Sequence, residues 1–158
     1  MARLAVVIAL LLAFVACEPQ PAPLAQGSAA EELAPEAPNF RSTVEQHVAA
    51  ISKRDFDGIL ATITESDSLT LIFPDGTLLR SRDAYISFHQ EWFADSTWTM
   101  DIDLVRLHEA SGTALVRTAY EDDGPSSRRE AWLVLSFARE NGFWRLVHDQ
   151  NTRIPADD

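Results

Sequence analysis

The spacing of apolar residues changes along the chain from a helical period to a strand period. Phe40, Val44, Val48 and Ile51 return at helical intervals and share one face of a predicted amphipathic helix. Ser42 and Glu45 have capping-box spacing at its start, with Asn39 as the alternative first residue. After a break at residues 53–55, the stretch FDGILATI sets Phe56, Leu60 and Ile63 on one side of a second, shorter helix. Residues 68–73, SLTLIF, read as a strand, and Pro74-Asp75-Gly76 as a turn leaving room for a short second strand. Ser81 then caps a third helix in RDAYISFHQEWF, whose stripe holds Ile86, His89, Trp92 and Phe93.

From Trp98 the period falls to two. WTMDIDLVRLHE alternates apolar and polar residues, then slips by one at Leu104-Val105, which predicts a β-bulge. Ser111-Gly112 turns the chain into the strand TALVRTAYE. A charged loop over residues 122–125 leads to REAWLVLSFARE, and Asn141-Gly142 is a strong hairpin signal before the last strand, GFWRLVHDQNT. On strict alternation Trp144, Leu146, His148, Gln150 and Thr152 share one face of that strand. The face begins apolar and ends in an imidazole, an amide and a hydroxyl, as if passing from a core into a polar pocket. Three helices followed by a mostly antiparallel meander indicate an α+β fold. A long, bulged sheet would curve around the helices as a cone-shaped barrel with one open end.

This order of elements, together with NGFWRLVHDQNT, resembles the SnoaL-like branch of the nuclear transport factor 2-like superfamily. Within that branch it is similar to small domains of unknown function and to the association domain of the calcium/calmodulin-dependent kinase. Gly142 and Trp144 match the family's Gly-x-Trp, and His148 its first alternating histidine. Gln150 stands where a second histidine is common, and Thr152 replaces a serine. Arg117, in ALVRTAY, falls where an arginine is frequent. The resemblance spans residues 39–154 and implies a cone-shaped pocket and frequent homodimerisation through the sheet. It implies no single activity, because one fold hosts many.

The residues ahead of this segment change the picture of where the domain works. Arg3 precedes an apolar run from Leu4 to Val15 that as a helix would span only about 18 Å, short of a bilayer core of roughly 30 Å. Residues 1–16 therefore read as a secretory signal peptide. Phe14-Val15-Ala16-Cys17 resembles a bacterial lipobox, with Phe14 where leucine is usual, which makes Cys17 the expected lipidation site. Cys17 is the chain's single cysteine, so lipidation would leave the folded part without thiol chemistry. Residues 18–38, rich in Pro, Ala, Gln and Glu, read as a tether with a reach of about 65 Å if fully extended. The formal charge of −11 over 158 residues argues against nucleic acid as a partner and against adsorption to anionic lipid. The expectation is a bacterial cell-envelope domain, residues 39–154, held to a membrane by lipid alone, with residues 155–158 as a tail.

Candidate chemistry centres on His148, whose ordinary pKa near 6.5 suits it to donate, accept or ionise near neutrality; the bland alternative is a histidine tying the last strand to a helix. Gln150 and Thr152 would orient a ligand or line a dimer seam. Arg117 would receive a carboxylate, or pair at the surface with Glu130 or Glu121. Tyr120, Trp132, Trp92 and Trp98 offer aromatic walls or core packing. His89 would reach the pocket or point outward, while His47 and His108 read as exposed. Asp149 and Asp67 are conceivable bases without an evident partner. No motif calls for a cofactor or metal: there is no His-x-x-x-His, and Asp101 and Asp103 share a strand face without a histidine. Glu121-Asp122-Asp123 is a charged hairpin tip rather than a calcium loop. The leading expectation is a small organic ligand in the cone with no reaction assignable. Its alternatives are a homodimeric interaction module with a vestigial pocket, and an isomerase, cyclase or hydro-lyase using His148.

Overall fold

The computed structural model describes residues 38–122 and 124–156; the expectations for the signal peptide, Cys17 and most of the tether lie outside the described residues. Helix α1 spans Phe40–Lys53, α2 Phe56–Leu60 and α3 Arg82–Ala94. The strands are β1 (Thr70–Ile72), β2 (Leu78–Leu79), β3 (Thr99–His108), β4 (Thr113–Glu121), β5 (Arg129–Glu140) and β6 (Phe143–Arg153). They form one open sheet in the order β2-β1-β6-β5-β4-β3. All neighbours are antiparallel except β1, which runs parallel to β6. The α+β class matches the expectation, and the sheet ends in two edges, β2 and β3.

Each helix starts where a side chain can accept an orphan backbone N–H. Asn39 caps α1 by accepting from the Ser42 amide at 2.9 Å, so the helix begins earlier than a Ser42 cap would allow. Asp55 does the same for Gly58 in α2, and Ser81 for Ala84 in α3. Arg54 closes α1 in the left-handed region at φ 54°. The hairpin at Asn141-Gly142 has both central residues at positive φ, 51° and 87°, as a two-residue turn that follows the sheet's twist requires.

The helices cover one face of the sheet. Phe40, Val44 and Ile51 from α1 and Ile59 from α2 pack with Val116, Leu133, Leu135, Phe137 and Leu146 from the strands, all buried. Phe40 lies edge-on to Phe137 at 5.7 Å and against Trp144 at 4.9 Å. His47 belongs to the same stripe and is 0 % exposed, which corrects its reading as a surface residue. It falls seven residues after Phe40 and four before Ile51, on the helix face that must point inward.

Two bulges shape the sheet. The predicted one is present: Leu104 pairs with Val116 and Arg106 with Leu115, leaving Val105 unpaired and exposed. The second was not predicted. Ser136 pairs with His148 and Phe137 with Leu146, so Val147 is the extra residue in β6.

Candidate functional site

The bulge at Val147 decides which residues of β6 face inward. Side chains alternate along a strand, and one inserted residue exchanges the faces beyond it. Up to Leu146 the even-numbered residues of β6 join the core; beyond Val147 the odd-numbered ones do. Asp149, Asn151 and Arg153 therefore share a face with their partners Leu135, Leu133 and Ala131. His148, Gln150 and Thr152 share the opposite face with Ser136, Val134 and Trp132.

The inward face opens on a cavity of about 270 Å³, roughly nine water volumes. Its walls are largely apolar and aromatic, including Leu71, Phe88, Trp92, Met100, Tyr120 and Leu133. Trp92 is held from behind by Trp98, stacked at 4.4 Å, and the Trp98 indole N–H donates to the Trp92 carbonyl at 2.9 Å. Phe88 stacks on Trp92 at 5.4 Å. These rings fix a rigid aromatic wall.

Polar groups enter that wall at few points. Asp149 is 4 % exposed and forms no ion pair with the described residues. Among the described residues its carboxylate accepts one hydrogen bond, from the Asn151 amide at 3.0 Å. Burial penalises the charged form and lifts its pKa from 3.8 to about 7, against the smaller lowering by Asn151. The Asn151 amide also donates to the Ile72 carbonyl at 3.1 Å, so both amide hydrogens are engaged and its oxygen stays available. His89 lines the cavity from α3. Its Nδ1 sits 2.9 Å from the Tyr85 carbonyl, which can only accept, so Nδ1 carries the proton and Nε2 the lone pair. Burial lowers its pKa to about 4, keeping the ring neutral. Beneath it, 4.1 Å away centre to centre, lies the Tyr85 ring, whose hydroxyl is buried without a hydrogen-bond partner among the described residues. Burial first, and then the Asp149 carboxylate, raise the Tyr85 pKa well above the usual phenol range.

Residues 41–156 match the sequence model of the SnoaL-like domain. The chain belongs to the SnoaL-like family. No curated protein matches it significantly. Among solved structures it is similar to a protein from Thiobacillus denitrificans described provisionally as a calcium/calmodulin-dependent protein kinase type II association domain. That match has 18 % identity, covers 77 % of this chain and 100 % of the other, and has a TM-score of 0.64. A nuclear transport factor 2-like protein of unknown function from Pseudomonas putida KT2440 aligns at 22 % identity over 75 % of this chain and 85 % of its own, with a TM-score of 0.60. An epoxide hydrolase from M. tuberculosis aligns at 18 % identity over 77 % and 82 %, with a TM-score of 0.57. At these identities the likeness shows the fold, which is the nuclear transport factor 2-like, cystatin-like one.

Against this SnoaL-like frame the residues proposed from sequence divide. Trp92 and Tyr120 line the cavity. His148, Gln150, Thr152, Arg117 and Trp132 do not: the register places all five on the other face of the sheet. His148 Nδ1 is 2.6 Å from the Thr70 hydroxyl on neighbouring β1. Arg117 pairs with Glu130 at 2.5 Å. Trp132 sits between Arg117 and Thr152 on one rung. His108 and Asp67 are exposed. The cavity groups that strict alternation missed are Asn151 and Arg153, with Asp149 weighed only as an isolated base. A signal for them existed: Leu146-Val147 is an apolar doublet breaking the alternation, as Leu104-Val105 is. Among the described residues no group of three or more His, Cys, Asp or Glu side chains is placed to hold a metal ion.

Proposed function

We propose that this SnoaL-like domain binds a small, mostly apolar organic molecule in the cavity, with Asp149 as its polar anchor. The carrying observation is that carboxyl: buried in an apolar wall and, among the described residues, unpaired with any cation and bonded only to Asn151. A group held at such cost in a cleft marks a functional position more often than a structural one. Near pH 7 it is divided between donor and acceptor forms, so it can meet a hydroxyl or a carbonyl, or move a proton. A reaction in this cavity would use Asp149, with the lone pair of His89 nearby, in place of the role first given to His148. That an epoxide hydrolase shares this fold supports small-molecule chemistry as a second possibility for it.

The test uses a neutral bicyclic probe, naphthalen-2-ylmethanol, and the cavity-filling variant Ala131→Phe, since Ala131 lines the cavity without being fully buried. At a hundredfold excess over Kd, the probe adds about 2.7 kcal/mol to the stability of the wild type. The expected thermal shift is several degrees in the wild type and near zero in the variant. Equal shifts in both would place binding elsewhere.

A second reading rests on the outer face of the sheet. Leu115, Val134 and Gln150 lie side by side there, next to the rung of Arg117, Trp132 and Thr152, with the apolar members half-buried. Together with the association-domain neighbour, this supports homodimerisation through the sheet. Sedimentation velocity decides it: a dimer that Trp132→Glu converts to monomer supports the seam, and a wild-type monomer at micromolar concentration removes it. We also propose, from the apolar leader and the lipobox-like Cys17 alone, that the domain is exported and lipid-anchored. Membrane partition that survives Cys17→Ser would refute the anchor.

A further inference from the structure

The inward face of β6 arranges its polar groups in a gradient. Asp149 is buried, Asn151 half-buried and Arg153 exposed, so the strand runs from the floor of the cavity to its mouth. The backbone at the mouth is fixed, because Arg153 pairs with Ala131 on β5 and the next amide, of Ile154, donates to the Glu130 carbonyl at 2.9 Å. Arg153 borders both the cavity and an adjoining cleft of about 450 Å³ that shares Arg129 and Glu130.

The charges around the mouth are committed, with one exception. Arg129 pairs with Asp122 at 2.5 Å and lies over the Tyr120 ring at 5.1 Å. Arg128 pairs with Glu121 at 2.7 Å and Asp101 at 3.2 Å. The Glu130 carboxylate is held by Arg117 at 2.5 Å and approached by Arg128 at 4.0 Å. Arg153 makes no hydrogen bond or ion pair with the described residues. Arg153 acts on the Asp75 carboxylate through space only, and that carboxylate accepts instead from the Thr77 amide at 2.9 Å. A guanidinium at the mouth of an apolar cavity, with no ion pair among the described residues, offers its planar fork of N–H donors to an anion.

We infer that the ligand is an amphipathic monocarboxylate: an aryl or medium-chain acid whose apolar body lies along the Trp92 wall and whose carboxylate meets Arg153 at the mouth. This rests on the cavity reading above and specifies its ligand. A single guanidinium fork matches the two oxygens and single charge of a carboxylate. A dianionic phosphate would need a second free cation and would face Glu130. The size agrees, since a cavity of 150 Å³ holds benzene and this one, at about 270 Å³, takes a bicyclic ring or a chain of similar volume. From Asp149 to Arg153 the strand advances roughly 13 Å, which sets the separation between the carboxylate and any hydrogen-bonding group at the far end.

Calorimetry on the full chain at pH 7.5 tests this with a matched pair, 2-naphthoate and naphthalen-2-ylmethanol. The wild type is expected to bind the acid about tenfold or more tighter than the alcohol. Arg153→Gln removes that preference and leaves the alcohol within about twofold, Arg153→Lys restores part of it, and Arg41→Gln, at an exposed pair with Glu45 on α1, changes neither. Alcohol binding with no preference for the acid overturns the carboxylate assignment and leaves the cavity reading standing. An acid preference that survives Arg153→Gln also overturns it. If neither probe binds, both fall.

Discussion

Replacing Asp149 by Asn is expected to stabilise the domain at pH 8 by up to about 4 kcal/mol, with almost no gain near pH 4. The carboxyl titrates at 3.8 when exposed and at about 7 in the fold, because burial penalises its charge. Between those values the native state holds a proton that the unfolded chain has released. Stability therefore falls as pH rises, by about 1.4 kcal/mol per unit, until the folded group ionises near pH 7. Asn cannot ionise and escapes this fall, while its amide keeps the shape and one acceptor for Asn151. Urea unfolding of both proteins from pH 4 to 8 should give curves that diverge upward for the variant and run parallel above pH 7. Curves parallel throughout would mean that Asp149 is well solvated. The same substitution should weaken the ligand or abolish any turnover that needs the proton. A residue whose removal stabilises the fold while harming the site is kept for the site.

The sequence made the fold legible wherever a local pattern had a single structural outcome. Phe40, Val44 and Ile51 could meet a core only as one helical stripe, Ser81 had an open helix start to cap, and Asn141-Gly142 tolerates the positive φ of its turn. The site was less legible because it depends on parity. One unpaired residue, Val147, exchanges His148, Gln150 and Thr152 for Asp149, Asn151 and Arg153, and alternation alone cannot say which apolar residue of Leu146-Val147 is extra. The pairing partner settles it: Phe137 must face α1, which draws Leu146 to the same side. His47 failed for a different reason. Its polarity argued for solvent, whereas its position in the stripe argued for the core, and the stripe prevailed once the Thr62 hydroxyl supplied a partner at 2.8 Å. Arg153 gave no signal in sequence, because its distinction is to lack, among the described residues, the ion-pair partner that Arg117, Arg128 and Arg129 have.

That buried histidine pair gives the second large effect, opposite in sign to the first. Acidification from pH 6.5 to 4.5 is expected to remove about 5 kcal/mol from an Asp149→Asn protein, and only about half as much from the wild type. His47 and His89 titrate at 6.5 when exposed but at about 3 and about 4 in the fold. Burial is the main cause for both; His89 further disfavours a charge on His47, while the bond to the Tyr85 carbonyl opposes part of the fall at His89. The Thr62 hydroxyl donates to the carbonyls of Gly58 and Ile59, at 3.1 and 3.0 Å, so it accepts from His47 Nδ1–H. His47 Nε2 is then a bare lone pair, buried and without a partner among the described residues, where an added proton would find no acceptor. Below pH 6.5 the unfolded chain takes up two protons that the native state refuses, and stability falls by about 1.4 kcal/mol per unit for each. In the wild type Asp149 works the other way, since its native form gains a proton over the same interval and offsets one of the two histidines. Urea midpoints at pH 6.5 and 4.5 separate the contributions. His47→Leu, which leaves Thr62 still donating to its two carbonyls, should roughly halve the acid loss in the Asp149→Asn background. A loss unchanged by His47→Leu would show that the imidazole is not the buried neutral group the packing requires.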